Sequence, residues 1–213
     1  MAQSLPPLEP AYAHAIQLID EAHAQDPNKI DGPDGPATLP YEVHYARSMT
    51  KWLQVRCPSA SPELQLACRA QHFRRWEIPR SSFPMTRAGY LTWRAKQKSQ
   101  AAQRVSALLE TTQPSPIPAP SRDRVAALIR KEDLAADPET QALEDVACLV
   151  FLDDQFDAFE QKEEIDEDKV VNILRKTWAK MAQPGRDIAL GMELGDRAKV
   201  LIGKALQPPE GSG

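Results

Sequence analysis

The sequence predicts an all-α protein, and three observations indicate this fold class. Most long segments repeat their apolar residues at the three-and-four spacing of an amphipathic helix. No segment alternates apolar and polar residues clearly enough to predict a strand, and no internal repeat is evident. The nineteen prolines stand mostly in loops and at the edges of the periodic segments. We therefore expect one compact helical domain over residues 1–213.

The first four predicted helices are delimited by prolines and by capping residues. Apolar residues recur on one side of the chain from Tyr12 to Ala22. Pro40 suits the first turn of a second helix, Ser61 is a candidate N-cap of a third, and Thr86 is a candidate N-cap of a fourth. The segment between the first two helices is rich in turn formers. We predict helices over 10–24, 41–55, 62–76 and 86–109, with a surface loop over 25–39.

The second half of the chain begins with a proline-rich segment. Residues 111–121 contain four prolines among polar neighbours, which favours an extended loop on the surface of one domain. Asp137 and Asp166 are placed to begin later helices. We predict helices over 122–131, 137–159, 166–181 and 193–206, followed by a flexible tail over 207–213.

Composition excludes several classes of protein. The hydrophobic fraction of 42% is ordinary for a globular domain, and the net charge of -4 gives no overall nucleic-acid signature. No run of eighteen apolar residues predicts a membrane span, and the N-terminal residues do not read as a secretory signal. The three cysteines form no CxxC pair, so we expect reduced thiols and a cytoplasmic protein.

Three predicted helices carry an acid or an imidazole on a face that should be buried. Glu42 lies within the apolar stripe of the second helix, whereas His44 points away from that stripe. His72 lies beside Cys68 at the wall of the third helix. Asp145 lies near the middle of an apolar face, with Glu144 next to it. Carboxylates in such positions are costly unless they are paired, protonated or bound to a cation.

These positions allow two interpretations. In the first, His72, Asp145 and Glu144 bind a divalent metal, iron or manganese, and Glu42 serves as a further ligand or as a catalytic base. Glu144 would then also act in catalysis. In the second, the same groups form a satisfied structural network in which Arg69 or Arg75 pairs with the acids.

Charge is unevenly distributed along the chain. Residues 69–104 contain nine basic residues and one acid, whereas residues 132–168 contain fifteen acids and one base. The two segments could simply pair with each other. Arginines beside aromatic rings such as Trp93 also suit the recognition of phosphate or carboxylate with ring stacking. The candidate residues for binding a substrate are Arg75, Trp76, Arg80, Arg87, Tyr90, Arg94, Arg175 and Lys176.

Several familiar catalytic motifs are absent. The sequence contains no GxxxxGK[ST], no GxGxxG and no GxSxG, so no organic cofactor motif is present. Cys68 lies one helical turn before His72, which makes a Cys–His nucleophile conceivable. An apolar helix interior favours an inert thiol instead.

Four segments resemble an uncharacterised helical family. They read YEVHYARSMTKWL, RAQHFRRWEIPRSSFPMTRAGYLTWR, LEDVACLVFL and ILRKTWAKM. They are similar to domain of unknown function 4202, whose members are often labelled glutamyl-tRNA synthetase-like, and the resemblance runs from about Ala11 to Leu206. It implies a helical fold. The chain lacks the ATP-binding phosphate motifs that a synthetase needs.

The chain is also similar to the HD-type metal phosphohydrolases. These all-α proteins place a His, then a His-Asp pair, then a distant Asp on separate helices. In this sequence the similarity implies Glu42 or His44, then His72, then Asp145. Residue 73 is Phe where that family has Asp, so the His-Asp pair is broken, and Glu144–Asp145 is the candidate source of the missing carboxylate.

Two functional hypotheses follow. The first is a metal-dependent hydrolase acting on a phosphorylated, nucleotide-like small molecule, with a helical iron oxygenase as a related possibility. The second is a non-catalytic module that binds a small anion or RNA and has a structural polar core. Neither hypothesis requires a membrane.

Overall fold

The computed structural model describes residues 4–32, 35–155 and 166–207, without the side chains of residues 32–37 and 155. Helices are its main elements, so the all-α prediction is confirmed. The elements in chain order are α1 (Pro10–His23), β1 (Lys29–Gly32), β2 (Gly35–Pro40), α2 (Tyr41–Arg56), α3 (Pro62–Arg69), α4 (Arg87–Leu109), α5 (Ala119–Arg130), α6 (Pro138–Val150), α7 (Glu167–Lys180), α8 (Gln183–Leu190) and α9 (Asp196–Leu206).

Three predicted capping residues begin their helices as expected. The Ser61 hydroxyl accepts a hydrogen bond from the Leu64 N–H at 3.1 Å. The Thr86 hydroxyl accepts from the Gly89 N–H at 3.1 Å. The carboxylate of Asp166 caps α7 in the same way. Each cap satisfies a backbone donor that the first helical turn leaves without a partner.

Some predicted element boundaries were wrong. The predicted loop 25–39 contains an antiparallel hairpin, in which Ile30 pairs with Leu39. The third helix ends at Arg69 and not at residue 76. No helix was predicted at Gln183–Leu190, and α5 begins at Ala119 inside the predicted loop 111–121.

The helix predicted over 137–159 has a different ending. Regular helix stops at Val150, and a π turn follows at Phe151–Gln155. The remaining predicted residues, 156–159, lie outside the described part of the chain, as do 208–213 of the predicted tail.

The chain divides into two compact units, residues 1–143 and 144–213. The single domain expected over residues 1–213 stays a prediction. In the first unit, α4 packs along α5, α3 packs against α2 and α5, and α1 lies against α2, α3 and α4. Fully buried side chains such as Met49, Leu64 and Leu109 fill the space between these helices. Each contributes about 1.5–3 kcal/mol through removal from water.

In the second unit, α7 packs against α9. The contact buries Val170 and Leu174 of α7 and Leu201 of α9. Glu167 at the start of α7 forms ion pairs with Arg197 and Lys204 of α9. None of the described helices is both long enough and apolar enough to cross a membrane.

Candidate functional site

The predicted site residues occur in both units. The first unit contains Glu42, His72 and the candidate arginines from position 75 to position 94. The second contains Glu144, Asp145, Arg175 and Lys176.

A tight turn follows α3 and positions the candidate residues of the first unit. His72 and Arg74 adopt left-handed backbone conformations, with φ of 65° and 51°. The Glu42 carboxylate accepts the backbone N–H of Arg74 at 3.0 Å and that of Arg75 at 2.6 Å. In a continuing helix these two N–H groups would bond to earlier carbonyls. The buried carboxylate is the acceptor for the Arg74 N–H and shares the Arg75 N–H with the His72 carbonyl, which lies 2.9 Å away, and so it stabilises the turn.

His23 shares a buried proton with Glu42. His23 Nδ1 lies 2.8 Å from Glu42 Oε2, and His23 Nε2 lies 2.9 Å from the Arg69 carbonyl oxygen. A carbonyl can only accept, so Nε2 carries a proton. The contact between Nδ1 and Oε2 needs a second proton, carried by either the imidazole or the carboxyl group. Either His23 is protonated and Glu42 ionised, or both groups are neutral. The two states hold the same number of protons.

The contacts of Glu42 indicate a structural role. The side chain is buried, with 1% of the residue exposed. Burial raises its pKa, and the hydrogen bond from His23 opposes that rise. Both carboxyl oxygens are already engaged by His23 and the turn. Glu42 as a metal ligand or catalytic base stays a prediction, and it would require these contacts to break.

Arg75 is held by neutral groups. Its Nη1 donates to His72 Nε2 at 2.8 Å, and its guanidinium carbon lies 5.0 Å from the centre of the Trp93 ring. With its amide oxygen turned towards Arg75, Gln97 accepts from Nε at 3.2 Å. Within the described part of the chain, the remaining side-chain N–H groups of Arg75 have no partner, and no carboxylate pairs with it. A half-buried guanidinium is thus left with uncompensated charge.

His72 is neutral because of its surroundings. Since Arg75 donates to Nε2, the imidazole proton is on Nδ1. That buried Nδ1 finds no acceptor among the described residues. The ring stacks on Tyr45 with centroids 3.9 Å apart. Burial, followed by the charges of Arg75 and Arg94, holds the pKa of His72 well below its usual range.

These residues form a group that we call the Arg75 cluster: Tyr41, Tyr45, His72, Arg75, Tyr90, Trp93 and Arg94. Burial and then the charge of Arg94 lower the pKa of Arg75, and the phenol groups of the three tyrosines oppose this effect. The guanidinium of Arg94 makes no hydrogen bond or ion pair with any described residue. The cluster therefore combines two cations that have no acidic partner in the described part of the chain with four aromatic rings and one imidazole.

Three other predicted binding residues lie near the cluster in sequence but have different environments. The Trp76 ring lies 6.0 Å from the guanidinium carbon of Arg74. The guanidinium carbon of Arg80 lies 6.0 Å from the centre of the Trp93 ring. The same side chain donates to the carbonyls of Phe83 and Pro84 at 3.0 and 2.8 Å. Arg80 thus fixes the loop before α4. Arg87 is exposed at the start of that helix.

Polar residues in the second unit have structural contacts. Asp145 is fully buried, and its Oδ1 accepts from the Ala182 N–H at 2.8 Å, at the start of α8. Gly185 leaves room for this carboxylate, since a Cβ there would lie 2.7 Å from Asp145 Cγ. Glu144 lies 3.9 Å from Lys180 Nζ. Arg175 donates to the Ala205 carbonyl at 3.3 Å, and Lys176 is exposed.

A metal centre needs several ligands in one place. Among the residues that the structure describes, no group of three or more His, Cys, Asp and Glu side chains is arranged to hold a metal ion. His72 could coordinate through Nε2 only after losing its hydrogen bond from Arg75. The divalent metal and its predicted ligands His72, Asp145 and Glu144 stay predictions.

The state of His72 gives a pH prediction. In the unfolded chain a histidine takes up a proton near pH ~6.5, whereas folded His72 remains neutral to lower pH. The unfolded state then binds more protons, so stability falls as pH decreases below about 6.5. Between about pH 7.5 and about pH 5.5 this residue should remove about 1 kcal/mol from the free energy of unfolding. Urea unfolding at both values measures it.

The control for this prediction is His72→Asn, because asparagine tolerates the left-handed backbone and does not titrate. The variant should lose stability less steeply with falling pH than the wild type, by about 1 kcal/mol over this window. Equal slopes for the two proteins would show that His72 is not held neutral.

Comparison with protein families gives one match. The model of "Domain of unknown function (DUF4202)" matches residues 13–202, which is most of the chain. The protein belongs to the DUF4202 family. This confirms the family resemblance of the sequence. Both the turn and the Arg75 cluster lie inside the DUF4202 match. Searches of curated proteins and of solved structures gave no match.

Part of the Arg75 cluster was not predicted, nor was His23, the partner of Glu42. His23, Tyr41 and Tyr45 were not selected as site residues, although each stands on a helix that the spacing of apolar residues predicts. The available signal was a buried His at the end of α1, where Glu42 needs a partner. Sequence spacing alone does not show which helix ends meet.

Proposed function

We propose that the protein binds a small phosphorylated, nucleotide-like molecule at the Arg75 cluster. The observation that carries the proposal is the guanidinium of Arg75. It is half-buried, it is oriented by His72, Gln97 and Trp93, and it lacks an acidic partner among the described residues. Its charge would be balanced by an anionic ligand.

The energetics of burial support an anion. Taking a cation out of water is costly unless an opposite charge or strong hydrogen bonds compensate. Burial, and after it the nearby charge of Arg94, lowers the pKa of Arg75, so both disfavour its charged form. Two guanidinium groups present several N–H donors that suit the oxygens of a phosphate. Binding an anion would relieve the repulsion between them.

The aromatic rings support a ligand with a flat apolar part. Tyr90 and Trp93 have ring centroids 5.7 Å apart, and Tyr41 and Tyr45 have centroids 6.3 Å apart. Tyr90 is 47% exposed, so one side of this aromatic group is open to solvent. A nucleobase could stack on such a ring while its phosphate reaches the arginines.

Binding is better supported than hydrolysis. The hydrolase hypothesis assigns His72 to a metal and Glu42 to catalysis, whereas each already has hydrogen-bond partners in the first unit. Those partners favour structural and positioning roles. The binding hypothesis uses the charges of Arg75 and Arg94, which have no acidic partner among the described residues, together with the neighbouring aromatic rings.

The proposal is tested by isothermal titration with inorganic phosphate and with adenosine and uridine monophosphates. We expect binding that weakens about tenfold or more in Arg94→Gln, because one charge-assisted hydrogen bond contributes about 1.5–3 kcal/mol. Arg197→Gln is the control, since it removes the same charge from α9, where Arg197 pairs with Glu167. Absence of binding at millimolar ligand would overturn the proposal, as would an equal loss in both variants.

A further inference from the structure

The beginning of α4 has an unusually exposed surface. Met85 just before the helix is 80% exposed, Leu91 is 58% exposed and Tyr90 is 47% exposed. Arg87 is exposed as well. Large apolar side chains grouped in this way are typical of interaction surfaces.

One face of α4 changes its environment along the helix. At about 100° per residue, Arg87, Tyr90, Leu91, Arg94 and Lys98 share a face. The same face continues through Ala101, Ala102, Val105 and Leu109, which are buried in the core. The face that is buried in the second half of α4 therefore carries exposed side chains in the first turns, at Arg87, Tyr90 and Leu91, and half-buried ones at Arg94 and Lys98. We call the five residues from Arg87 to Lys98 the α4 stripe.

The charge of the α4 stripe is entirely positive. No Asp or Glu occurs between residues 78 and 109. Glu77, the last acid before this segment, is paired with Arg74 and Arg104. Neither Arg87 nor Arg94 forms an ion pair within the described ranges. Lys98 donates to the Arg130 carbonyl at 3.3 Å, so the charges of Arg87 and Arg94 are the ones that have no counter-charge among the described residues and suit an anionic partner.

Charge and ring positions favour one class of partner. Tyr90 follows Arg87 by three residues and precedes Arg94 by four, so an exposed ring lies between two arginines on one helix face. This alternation suits a phosphate chain whose bases stack between phosphate contacts. A symmetric contact with a second copy would instead place arginine against arginine, which is repulsive.

We propose that the α4 stripe binds single-stranded RNA, with one nucleotide in the Arg75 cluster and its neighbours along the stripe. The inference rests on the proposed function for its inner end, because Arg94 belongs to both surfaces. Arg87 and Arg94 bind phosphates, and Tyr90 stacks on a base. Leu91 and Met85 cover the apolar faces of the sugar and bases.

The experiment compares uridine monophosphate with a fluorescein-labelled oligouridylate of about twelve nucleotides, a length within the range of single-strand sites. We expect the oligomer to bind at least about tenfold more tightly at low salt, with an affinity that falls as salt increases. Arg87→Gln should weaken binding of the oligomer about tenfold and reduce by about one the slope of log affinity against log salt concentration. It should leave the affinity for the monophosphate unchanged.

Lys96→Gln is the matched control, because Lys96 is exposed on the opposite face of the same helix. It removes one positive charge, as Arg87→Gln does, and should weaken binding of the oligomer by less than about twofold. Equal effects of the two variants would overturn the inference, since a general charge effect would then explain binding.

The remaining outcomes separate the two proposals. If the monophosphate binds and the oligomer binds no more tightly, the RNA inference fails and the proposed function stands. If neither binds, both fail. If polyglutamate displaces the oligomer at an equal concentration of charge, the surface recognises acidic polymers in general, and the inference of RNA is overturned.

Discussion

Arg75→Met should lose binding of phosphate and nucleotides by about a hundredfold or more, with little change in stability. Binding falls because two or more charge-assisted hydrogen bonds, each about 1.5–3 kcal/mol, disappear together. Stability should change by less than about 1 kcal/mol, because removal of a half-buried charge that lacks an acidic partner among the described residues offsets the lost hydrogen bonds to His72 and Gln97. Titration calorimetry and urea unfolding of the same preparations measure the two effects.

Arg69→Met is the contrasting control. Arg69 is also half-buried, but it forms two hydrogen bonds with Asp20, at 2.6 and 2.7 Å, and one with Thr50 at 3.0 Å. Removing it should cost about 1–3 kcal/mol of stability and leave anion binding unchanged. If Arg75→Met destabilised the protein as much as Arg69→Met, Arg75 would be a structural residue and the anion site would lose its support.

Glu42→Gln should destabilise the protein by about 3 kcal/mol. The carboxyl group satisfies His23 and two backbone N–H groups in a buried place, and removal of one partner from such a network typically costs about 3–5 kcal/mol. Glutamine keeps one acceptor oxygen but brings an NH2 group towards existing donors. Chemical denaturation is the measurement, with unchanged helical content in the folded baseline.

Two further variants complete this test. Glu21→Gln removes an exposed carboxylate from α1 and should change stability by less than about 0.5 kcal/mol. The double variant His23→Gln, Glu42→Gln should lose less stability than the two single variants together. We expect the difference to be about 1 kcal/mol or more, since the two side chains share a proton. Additive effects, or a Glu42→Gln protein as stable as the wild type, would show that the pair does not hold the turn.

Local sequence signals predicted much of the helical framework. Ser61, Thr86 and Asp166 begin helices because each side chain can reach a free N–H of its own first turn. Apolar spacing located α1, α2 and α4 to within a residue or two, because their buried faces repeat regularly. These signals lie within a single element and need no knowledge of tertiary contacts.

The misplaced elements depend on contacts between distant residues. The third predicted helix stops at Arg69, and the turn that follows it is held by Glu42, more than thirty residues earlier in the chain, which accepts the N–H groups of Arg74 and Arg75. The hairpin at Lys29–Gly32 and Gly35–Pro40 is short and contains proline and glycine, which weaken any strand pattern. α8 contains only eight residues, too few for its apolar period to be distinguished from that of a loop.

The basic and aromatic chemistry of the candidate site was predictable from the sequence, but the set of residues that form the site was less so. The basic and aromatic residues around Arg75 and Tyr90 were evident from composition alone. The role of His72 changed, because a turn places it beside Arg75 and Tyr45, where its Nε2 accepts a hydrogen bond. Helical phase could not show this, since the residue is not in a helix.

The most direct test is diffraction from crystals soaked in tungstate, a heavy analogue of phosphate whose position is visible by anomalous scattering. The proposed anion site predicts a peak within hydrogen-bonding distance, about 3 Å, of the guanidinium groups of both Arg75 and Arg94. A structure in which carboxylates already neutralise those two arginines, with tungstate bound elsewhere, would contradict it.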